Sequence, residues 1–293
     1  MIHETGAERP LQIFGSLCCP LCRGALKDDM SCLKCNHNFV IHNGVPLLLE
    51  KETQSRVLRE QKNDNENLFK NFFKSWPSLY RFLTILIAPV LFTGLNGRSF
   101  FSRATADAKL LNLGSGSMRI HDNAINVDIF PFPNVDVVAN AERLPFTDSS
   151  FDLVSSDQVL EHVPHPSIMI SEILRVTKTG GLIHLSVPFL YPLHGSPSDY
   201  SRWTISGLCE LFAGHEVIES GVLMGPTSGL LATFAGWLSL VFSFGIEPLK
   251  KIFHYLFMLI LSPLKFLDLL FARYPGAEDV AGGIYIVIKK KNT

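Results

Sequence analysis

Charged residues are scarce in this sequence, and neither sign predominates. Only 18% of the 293 residues are charged, and the 26 Lys and Arg nearly balance the 27 Asp and Glu, for a formal net charge of -1. Such a chain has no global positive field that attracts phosphate backbones, so nucleic acid ranks low as a partner, although a local basic patch stays open. The hydrophobic fraction of 47%, with 22 Phe residues, is high for a freely soluble enzyme and predicts some apolar surface that contacts lipid.

The sequence also lacks the features of a secreted protein. Residues 1–10 are polar and charged, without a basic segment followed by an apolar core, so we expect no secretory signal. Four of the six cysteines lie in two close pairs between Cys19 and Cys35, which suits metal binding in a reducing compartment better than a disulfide framework. We therefore expect a cytoplasmic location.

The two cysteine pairs are Cys19 with Cys22 and Cys32 with Cys35, two CxxC motifs separated by nine residues. Two such turns offer four thiolates at tetrahedral geometry to one zinc ion, which holds together a segment too small for a core of its own. Because Cys18 directly precedes Cys19, the sequence leaves slightly open which of the two belongs to the first CxxC pair. The segment resembles the short zinc ribbons of the tRNA-methyltransferase activator family and of several bacterial methyltransferases, which implies a structural or docking role.

Composition divides the chain into three regions. Residues 50–74 are rich in Lys, Glu, Gln and Asn, which predicts a solvated linker helix. Residues 79–95 are apolar but shorter than the roughly 20 residues that cross a bilayer, which predicts a packed or interfacial helix. The predicted regions are a zinc-ribbon module at 1–50, a linker with apolar helices at 51–108, and a catalytic domain at 109–293 with an apolar helical insertion at 223–276.

From residue 109 onwards, short apolar runs alternate with helical stretches. This alternation predicts an α/β fold with a mostly parallel sheet that is covered by helices on both faces. A helix is predicted at 167–176. The predicted strands are 110–113, 125–128, 135–138, 151–155, 182–187, 216–222 and 283–289.

A glycine turn follows the first predicted strand of this domain, in residues 111–117. Glycines at this point let backbone amides approach a nucleotide-like ligand at the carboxyl ends of the strands. A dinucleotide fingerprint needs a third glycine three positions after Gly116, where Arg119 stands, and an acidic residue about 20 positions on. Asp128 comes only 14 positions after Gly114. NAD is therefore disfavoured.

The downstream sequence carries a more specific resemblance. Residues 135–146, 150–154, 157–163 and 172–176, followed by Gly180 and Gly181, closely resemble the class I methyltransferases that include the ubiquinone- and menaquinone-biosynthesis enzymes. The resemblance spans about 110–188, with its motifs in the family's order. It implies a Rossmann-like, seven-stranded methyltransferase fold and S-adenosylmethionine (SAM) as cofactor.

The same resemblance assigns roles to individual residues. The two glycines would pass close to the methionine and ribose portions of SAM, and Asp128 would accept hydrogen bonds from the ribose hydroxyls. Residues 140–142 would lie along the adenine edge, and 157–158 would border the methionine end and the substrate. The predicted cofactor-binding residues are Asn112, Gly114, Ser115, Gly116, Asp128, Asn140, Ala141, Glu142, Asp157 and Gln158.

This sequence departs from the family pattern at several places. Asn112 replaces the usual acidic residue before the glycines, Met118 replaces the usual third glycine, and Asn140 stands where Asp is common. The first helix is predicted to be shortened, because Asp128 follows the glycines so soon.

The loop at 188–204 is expected to cover the acceptor site, since loops at the carboxyl ends of parallel strands carry specificity. Methyl transfer needs a base only if the acceptor is a hydroxyl, and His162 and His194 are the candidate catalytic residues. Packing or helix capping is an equal alternative for His162. For Asp199 and Arg202, an internal ion pair that holds the loop is an equal alternative to a role in the acceptor site.

The insertion contains two apolar stretches, at 226–246 and 252–271, and three interpretations stay open. We favour a helical pair that lies monotopically in the interface of a membrane, on its cytoplasmic face. Two spanning helices would place Lys250 and Lys251 on the far side, against the positive-inside tendency. A soluble cap over the active site is the third possibility.

These features predict a SAM-dependent methyltransferase that acts on a hydrophobic or membrane-associated acceptor, such as a lipid, a quinone-like ring or a lipid-linked glycan. One alternative is an RNA methyltransferase that docks through the zinc ribbon. The other is a non-catalytic, zinc-dependent scaffold at a membrane.

Overall fold

The computed structural model describes residues 16–65, 86, 88–194 and 198–292, which form an α/β fold. The strands are β1 Val40–His42, β2 Val45–Leu48, β3 Leu110–Leu113, β4 Ala124–Asp128, β5 Val137–Ala139, β6 Phe151–Asp157, β7 Thr177–Pro188, β8 Glu216–Met224 and β9 Gly283–Lys289. The α-helices are α1 Lys51–Asn65, α2 Gly97–Phe101, α3 Pro166–Val176, α4 Ile205–Leu211, α5 Pro226–Ser243, α6 Glu247–Leu261 and α7 Asp268–Phe271. Short 3-10 helices occupy Leu160–His162, Ser262–Leu267 and Ala277–Val280.

The strands form one sheet in the order β1-β2-β5-β4-β3-β6-β7-β9-β8. Strands β5, β4, β3, β6 and β7 run parallel, and β9 runs antiparallel to both β7 and β8. The chain order reverses between β3 and β6, so the carboxyl ends of these strands form the switch point where ligands bind in open α/β sheets. The predicted seven-stranded, mostly parallel class I methyltransferase fold is confirmed. The hairpin of β1 and β2 adds two further strands.

Helices cover both faces of this sheet, as the alternation of apolar residues predicts. In β9, Ile284, Ile286 and Ile288 join the core that contains α3, whereas Tyr285 and Val287 join the core that contains α2. The first crossover is the exception. Residues 114–123 are all described and form turns, so β3 reaches β4 without a helix.

The N-terminal cysteine module is built into the catalytic domain. Strand β2 pairs in parallel with β5, with Leu47 opposite Val138, and the Cys18 amide donates to the Pro145 carbonyl at 2.9 Å. Met30 and Phe39 of the module belong to the same buried cluster as the core of the sheet. The module and the domain therefore share one hydrophobic core.

The insertion between β8 and β9 forms an antiparallel helical pair, α5 and α6. In the described part of the chain, one helical segment, Glu247–Phe271, is long and apolar enough to cross a membrane. The predicted apolar helix at 79–95 lies largely outside the described residues, and so does the N-terminal segment 1–10. Residues 88–95 of that stretch run past β8, where Phe92 bridges to Met224.

Candidate methyl-donor and acceptor sites

The glycine turn lies at the carboxyl ends of β3 and β4. Gly114 and Gly116 have φ angles of 71° and 56°, a left-handed conformation that glycine adopts at low cost. The amides of Gly114 and Ser115 both donate to the Val127 carbonyl, at 2.8 and 3.1 Å, and this ties the turn to β4. The predicted bent turn is therefore present.

Asp128 ends β4 directly beneath this turn. Its Oδ2 accepts from the Gly116 amide at 2.8 Å, and its Oδ1 accepts from the Phe130 amide at 3.0 Å. Burial raises the pKa of the Asp128 carboxyl, although the amide hydrogen bonds from Phe130 and Gly116 act in the opposite direction. Each carboxylate oxygen has further lone pairs, so the carboxylate can hold the turn and also accept from ribose hydroxyls. That second role stays a prediction.

The residues after β6 close over the glycine turn. A Cβ atom on Gly114 would lie 2.1 Å from Cγ2 of Val159, so the Val159 side chain packs directly on this glycine. The neighbouring Gln158 has a φ of 55°, and its backbone amide donates to the Ser186 carbonyl. Its side-chain nitrogen is buried without a hydrogen-bond partner among the described residues. An unsatisfied buried donor next to the turn fits a polar ligand such as the amino-acid end of SAM.

Two predicted cofactor residues already have partners inside the protein. Asp157 accepts from the Gly97 amide and from the Ser186 hydroxyl, both at 2.8 Å, and so fixes the start of α2 against the sheet. The side-chain amide of Asn112 donates to Oδ1 of Asn126 at 3.0 Å within the buried sheet. The close approach of Gly97 could not be read from the sequence, because Gly97 lies outside every motif of the methyltransferase pattern.

The loop predicted to follow adenine makes a tight turn. Asn140 accepts from the Glu142 amide at 2.9 Å, and Glu142 in turn accepts from the His165 amide at the start of α3. Ala141 packs against the core. This loop also forms one wall of a cavity of about 220 Å3, and residues of the cysteine module and α1 form the other wall. Sequence reasoning missed this cavity, because it lies between segments that are far apart in the chain.

The candidate bases His162 and His194 are 32 residues apart in sequence and meet in space. Their ring centroids are 5.3 Å apart, and the Nε2 atom of each lies 3.7 Å from Oε1 of Glu161. Nδ1 of His162 lies 2.6 Å from the Ser198 carbonyl in the loop at 188–204, named the acceptor loop because it is predicted to cover the acceptor site. The two rings therefore bring the 3-10 helix after β6 into contact with the acceptor loop.

Sequence reasoning missed Glu161, which lies between the two rings. Its side chain is 0% exposed, and neither carboxylate oxygen has a hydrogen-bond partner in the described part of the chain. Burial, with a smaller contribution from the negative charge of Asp199, raises the pKa of Glu161 to about 7, and the residue's own backbone amide and Arg202 act against this rise. Its position next to His162 was a signal, but its burial was not visible in the sequence.

Asp199 and Arg202 form an ion pair, with Arg202 Nη2 at 2.7 Å from Asp199 Oδ2. This hydrogen-bonded guanidinium lowers the pKa of Asp199 to about 2. Asp199 also accepts from the His194 amide at 3.1 Å. The pair thus holds the acceptor loop, as one of the two sequence interpretations expected.

The four predicted zinc ligands converge. Sγ of Cys19 lies 3.7 Å from Sγ of Cys35, Sγ of Cys22 lies 3.4 Å from Sγ of Cys32, and all four sulfurs lie within 4.8 Å of one another. Thiolates on a tetrahedral zinc ion, with Zn–S bonds of about 2.3 Å, are about 3.8 Å apart. The amides of Lys34 and Cys35 also point at the Cys32 sulfur. The donor set therefore fits one zinc ion with four thiolate ligands.

Comparison with known proteins identifies the central segment. Residues 111–185 match the family described as methyltransferase domain. An uncharacterized methyltransferase of Mycobacterium tuberculosis strain H37Rv is 38% identical over 108 residues, which cover 36% of this chain and 42% of that protein. One from Mycobacterium leprae strain TN is 37% identical over 91 residues, covering 31% of this chain and 34% of that protein. The matched part of this chain spans 34–42% of the length of these relatives.

Solved structures of low sequence identity also match. The [4+2]-cyclase SpnF matches with a TM-score of 0.43 and 17% identity, over 67% of this chain and 80% of that one. A chain in the complex of the Haloferax volcanii Trm112 methyltransferase activator with a methyltransferase gives a TM-score of 0.44 and 17% identity, over 75% and 96% of the two chains. The family match at residues 111–185, the curated relatives and the strand order support a SAM-dependent methyltransferase domain with the class I fold in this part of the chain. The finer resemblance to quinone-biosynthesis enzymes stays a prediction.

Proposed function

We propose that this chain transfers a methyl group from SAM to a hydrophobic or membrane-associated acceptor, and that it does so at the cytoplasmic surface of a membrane. The observation that carries the proposal is the arrangement of side chains on the α5–α6 pair, which is inverted relative to a soluble helical hairpin. In soluble proteins, large apolar residues face the core, and large contiguous apolar patches on the surface mark interaction sites.

Most buried residues of α5 are small, and most of its large apolar residues are exposed, with the buried Leu231 as an exception. Ala232, Ala235, Ser239 and Ser243 are buried along one side. The exposed apolar residues of the pair are Leu230, Phe234, Trp237, Leu240, Val241, Phe242, Ile252, Tyr255, Leu256, Leu259 and Ile260, and Phe244 and Ile246 are exposed at the tip between the helices. Small residues between helices and large apolar residues outside are typical of helices packed in lipid. This pattern supports association of the pair with a membrane.

The base of the helical pair adjoins the acceptor loop. A Cβ atom on Gly229 of α5 would lie 2.7 Å from the Leu190 carbonyl, so the helix and the loop are in backbone contact. The amides of Phe189 and Leu190 donate to the carbonyls of Gly282 and Ala281, at 2.9 and 3.1 Å, just before β9. A lipid-embedded acceptor held at the helical pair would thus be close to the loop that carries His194.

The residues at the switch point fit SAM. Gly114, Gly116 and Asp128 would hold its ribose and methionine portions, and the unpaired amide of Gln158 would meet its polar end. When bound, SAM supplies a methyl group on a sulfonium, which is a good leaving group. The acceptor loop then has to position the acceptor atom in line with the methyl group, and such positioning supplies much of the rate enhancement in displacements of this kind. A proton released by a hydroxyl acceptor would pass to His162 or His194.

The cysteine module completes the proposal. Cys19, Cys22, Cys32 and Cys35 would bind a structural zinc ion, because four thiolates leave no open coordination position for catalysis. The ion would stabilise the wall of the cavity beside residues 140–143. The module's exposed face is also available for docking, which is the role that the RNA-methyltransferase alternative requires.

The test is transfer of radiolabelled methyl groups from SAM to a total cell extract that includes membranes. The extract is then separated into lipid, RNA, protein and small-molecule fractions. We expect label in the lipid fraction with the unaltered protein and at least a tenfold loss with Asp128→Asn. Label in RNA alone would contradict the proposal in favour of RNA methylation. Absence of both label and SAM binding would contradict it in favour of the scaffold.

A further inference from the structure

A second cluster of metal-ligand side chains lies beside the acceptor loop, away from the cysteine module. Glu161, His162 and His194 each offer one ligand atom, and these atoms lie within 4.8 Å of one another. Both carboxylate oxygens of Glu161 are buried and lack a hydrogen-bond partner among the described residues. A buried carboxylate without partners costs free energy unless a positive charge compensates it. We propose that these three residues bind a divalent transition-metal ion.

Hydrogen bonds on the far side of each ring determine which nitrogen faces Glu161. Nδ1 of His162 lies 2.6 Å from the Ser198 carbonyl and must carry the proton in that contact. Nδ1 of His194 lies 3.3 Å from the Pro192 carbonyl and 3.4 Å from Oδ2 of Asp199, two groups that only accept. In neutral imidazoles, both Nε2 lone pairs therefore face the carboxylate. Three electron-pair donors facing one another are repulsive unless a proton or a metal cation lies among them, and a metal cation can satisfy all three at once.

The distances suit a metal ion. Each Nε2 atom is 3.7 Å from Oε1 of Glu161, which is too long for a hydrogen bond. Ligand atoms that each lie about 2.1 Å from one metal ion are roughly 3.0–3.4 Å apart, so binding needs an inward shift of ligand atoms that now lie within 4.8 Å of one another. The carbonyl and carboxylate partners of the Nδ1 atoms are the kind of outer contacts that orient metal-binding histidines.

The surrounding loop is already arranged around this cluster. The Tyr200 amide donates to the Glu161 carbonyl at 2.7 Å, and the Asp199–Arg202 pair holds the His194 backbone. Three protein ligands leave coordination positions open, as in catalytic metal sites. If the proposed methyl transfer is correct, a hydroxyl oxygen of the acceptor would fill one of these positions and lose its proton to bulk water, because the metal ion would occupy the Nε2 atoms of His162 and His194. Metal binding itself does not depend on that function.

The donor atoms separate this site from the cysteine module. Thiolates select zinc and other soft ions, whereas imidazole and carboxylate also accept manganese and iron. Mn2+ is therefore the probe, since four thiolates compete poorly for it. The experiment titrates Mn2+ into the full-length protein loaded with one zinc ion per chain, so that the cysteine site is filled and the second site is left free, and follows the signal of free Mn2+ by electron paramagnetic resonance. We expect one bound Mn2+ per chain, and the same stoichiometry in a Cys35→Ser variant.

Variants of the ligands decide the assignment. His194→Ala alters a partly exposed loop residue and should weaken Mn2+ binding at least tenfold without changing the melting temperature of the metal-free protein. Glu161→Gln keeps the shape of the buried side chain and should have the same effect on binding. His165→Ala is the matched control, because His165 is exposed and its side chain does not cap α3.

Two results would overturn the proposal. One is an unaltered protein that leaves Mn2+ free at millimolar concentration and shows no rise in melting temperature with Mn2+ or Co2+. The other is binding that survives both His194→Ala and Glu161→Gln. Both results are independent of methyl transfer, so failure of the metal site is distinguishable from failure of the proposed enzymatic function.

Discussion

The two glycines of the turn, Gly114 and Gly116, differ in the space that they leave for a side chain. Gly114 and Gly116 both have a positive φ, but only Gly114 is covered by a side chain, that of Val159. Gly116 has no heavy atom within 4 Å of where its Cβ would lie. The two positions therefore separate the effect of backbone strain from the effect of steric overlap.

We predict that Gly114→Ala lowers the free energy of unfolding more than Gly116→Ala does. A left-handed alanine costs about 1–2 kcal/mol at either position, and Gly114→Ala adds a clash at 2.1 Å. The double variant Gly114→Ala/Val159→Ala should recover part of the loss. Urea unfolding checks this, and equal losses in the two single variants would show that Val159 does not press on the turn.

Asp128 is expected to matter for the cofactor more than for the fold. Asp128→Asn keeps one acceptor oxygen for a backbone amide but removes the charge and one acceptor for ribose hydroxyls. We predict that the dissociation constant of SAM rises at least tenfold, which is about 1.4 kcal/mol or more. Calorimetric titration measures it, with Asp107→Asn at an exposed position as control. Unchanged SAM affinity would remove Asp128 from the site.

At the level of elements, the cysteine module is expected to be required by the whole domain. Cys19, Cys32, Met30 and Phe39 are buried in the same cluster as the sheet core, and β2 pairs with β5. We predict that chelation of zinc, or Cys32→Ser, lowers the melting temperature of the entire molecule in a single transition. Calorimetry checks this. A separate low-temperature transition that leaves SAM binding intact would show that the module folds on its own.

The helical pair is expected to bind membranes through its outward face. Replacing Trp237, Leu240 and Phe244 with serine removes three exposed apolar side chains, each worth about 1.5–3 kcal/mol when buried in lipid. We predict at least a tenfold loss of binding to anionic lipid vesicles in co-sedimentation, with SAM affinity unchanged. Met118→Ser, at an exposed apolar position in the catalytic domain, is the control. Equal vesicle binding by the triple variant would contradict membrane association through this face.

For the molecule as a whole, Glu172 connects the module to the catalytic domain. It accepts from Arg23 of the module at 2.7 Å and from Arg175 at 2.8 and 2.9 Å. Burial would raise the pKa of Glu172, but these hydrogen bonds outweigh it and hold the pKa below the ordinary value of 4.5. A carboxyl with a lowered pKa stabilises the fold above its ordinary pKa, and this stabilisation is lost as the pH falls through the folded-state pKa.

We predict that Glu172→Gln lowers the free energy of unfolding by about 2 kcal/mol at pH 7, because it weakens a buried, charge-assisted network. The difference from the unaltered protein should persist to about pH 5 and shrink below the ordinary pKa. Asp148→Asn is the matched control, since Asp148 pairs with the same Arg175 but is exposed. A difference that grows as the pH falls would contradict this account.

The strands were predictable to within a few residues, and β3 and β9 have the predicted bounds. The least accurate prediction was β7, which begins at Thr177 rather than at 182. Its first part pairs with β6 only through Thr177 and Phe151 before a register irregularity, so the usual alternation is lost there. The first helix was predicted to be shortened, but the described residues 114–123 contain no helix at all, because ten residues between Leu113 and Ala124 leave little room for a helix and two turns.

The sequence alone determined the α/β alternation, the glycine turn and the four-cysteine site, because each depends on spacing within one element or between close neighbours in the chain. Only the tertiary structure decided that Glu161 is enclosed by His162 and His194, and that the cysteine module shares the domain's core. The exposure of large apolar side chains on the α5–α6 pair was also decided only by the tertiary structure. Burial depends on which distant segments surround a side chain, and the spacing of residues along the chain does not contain that information.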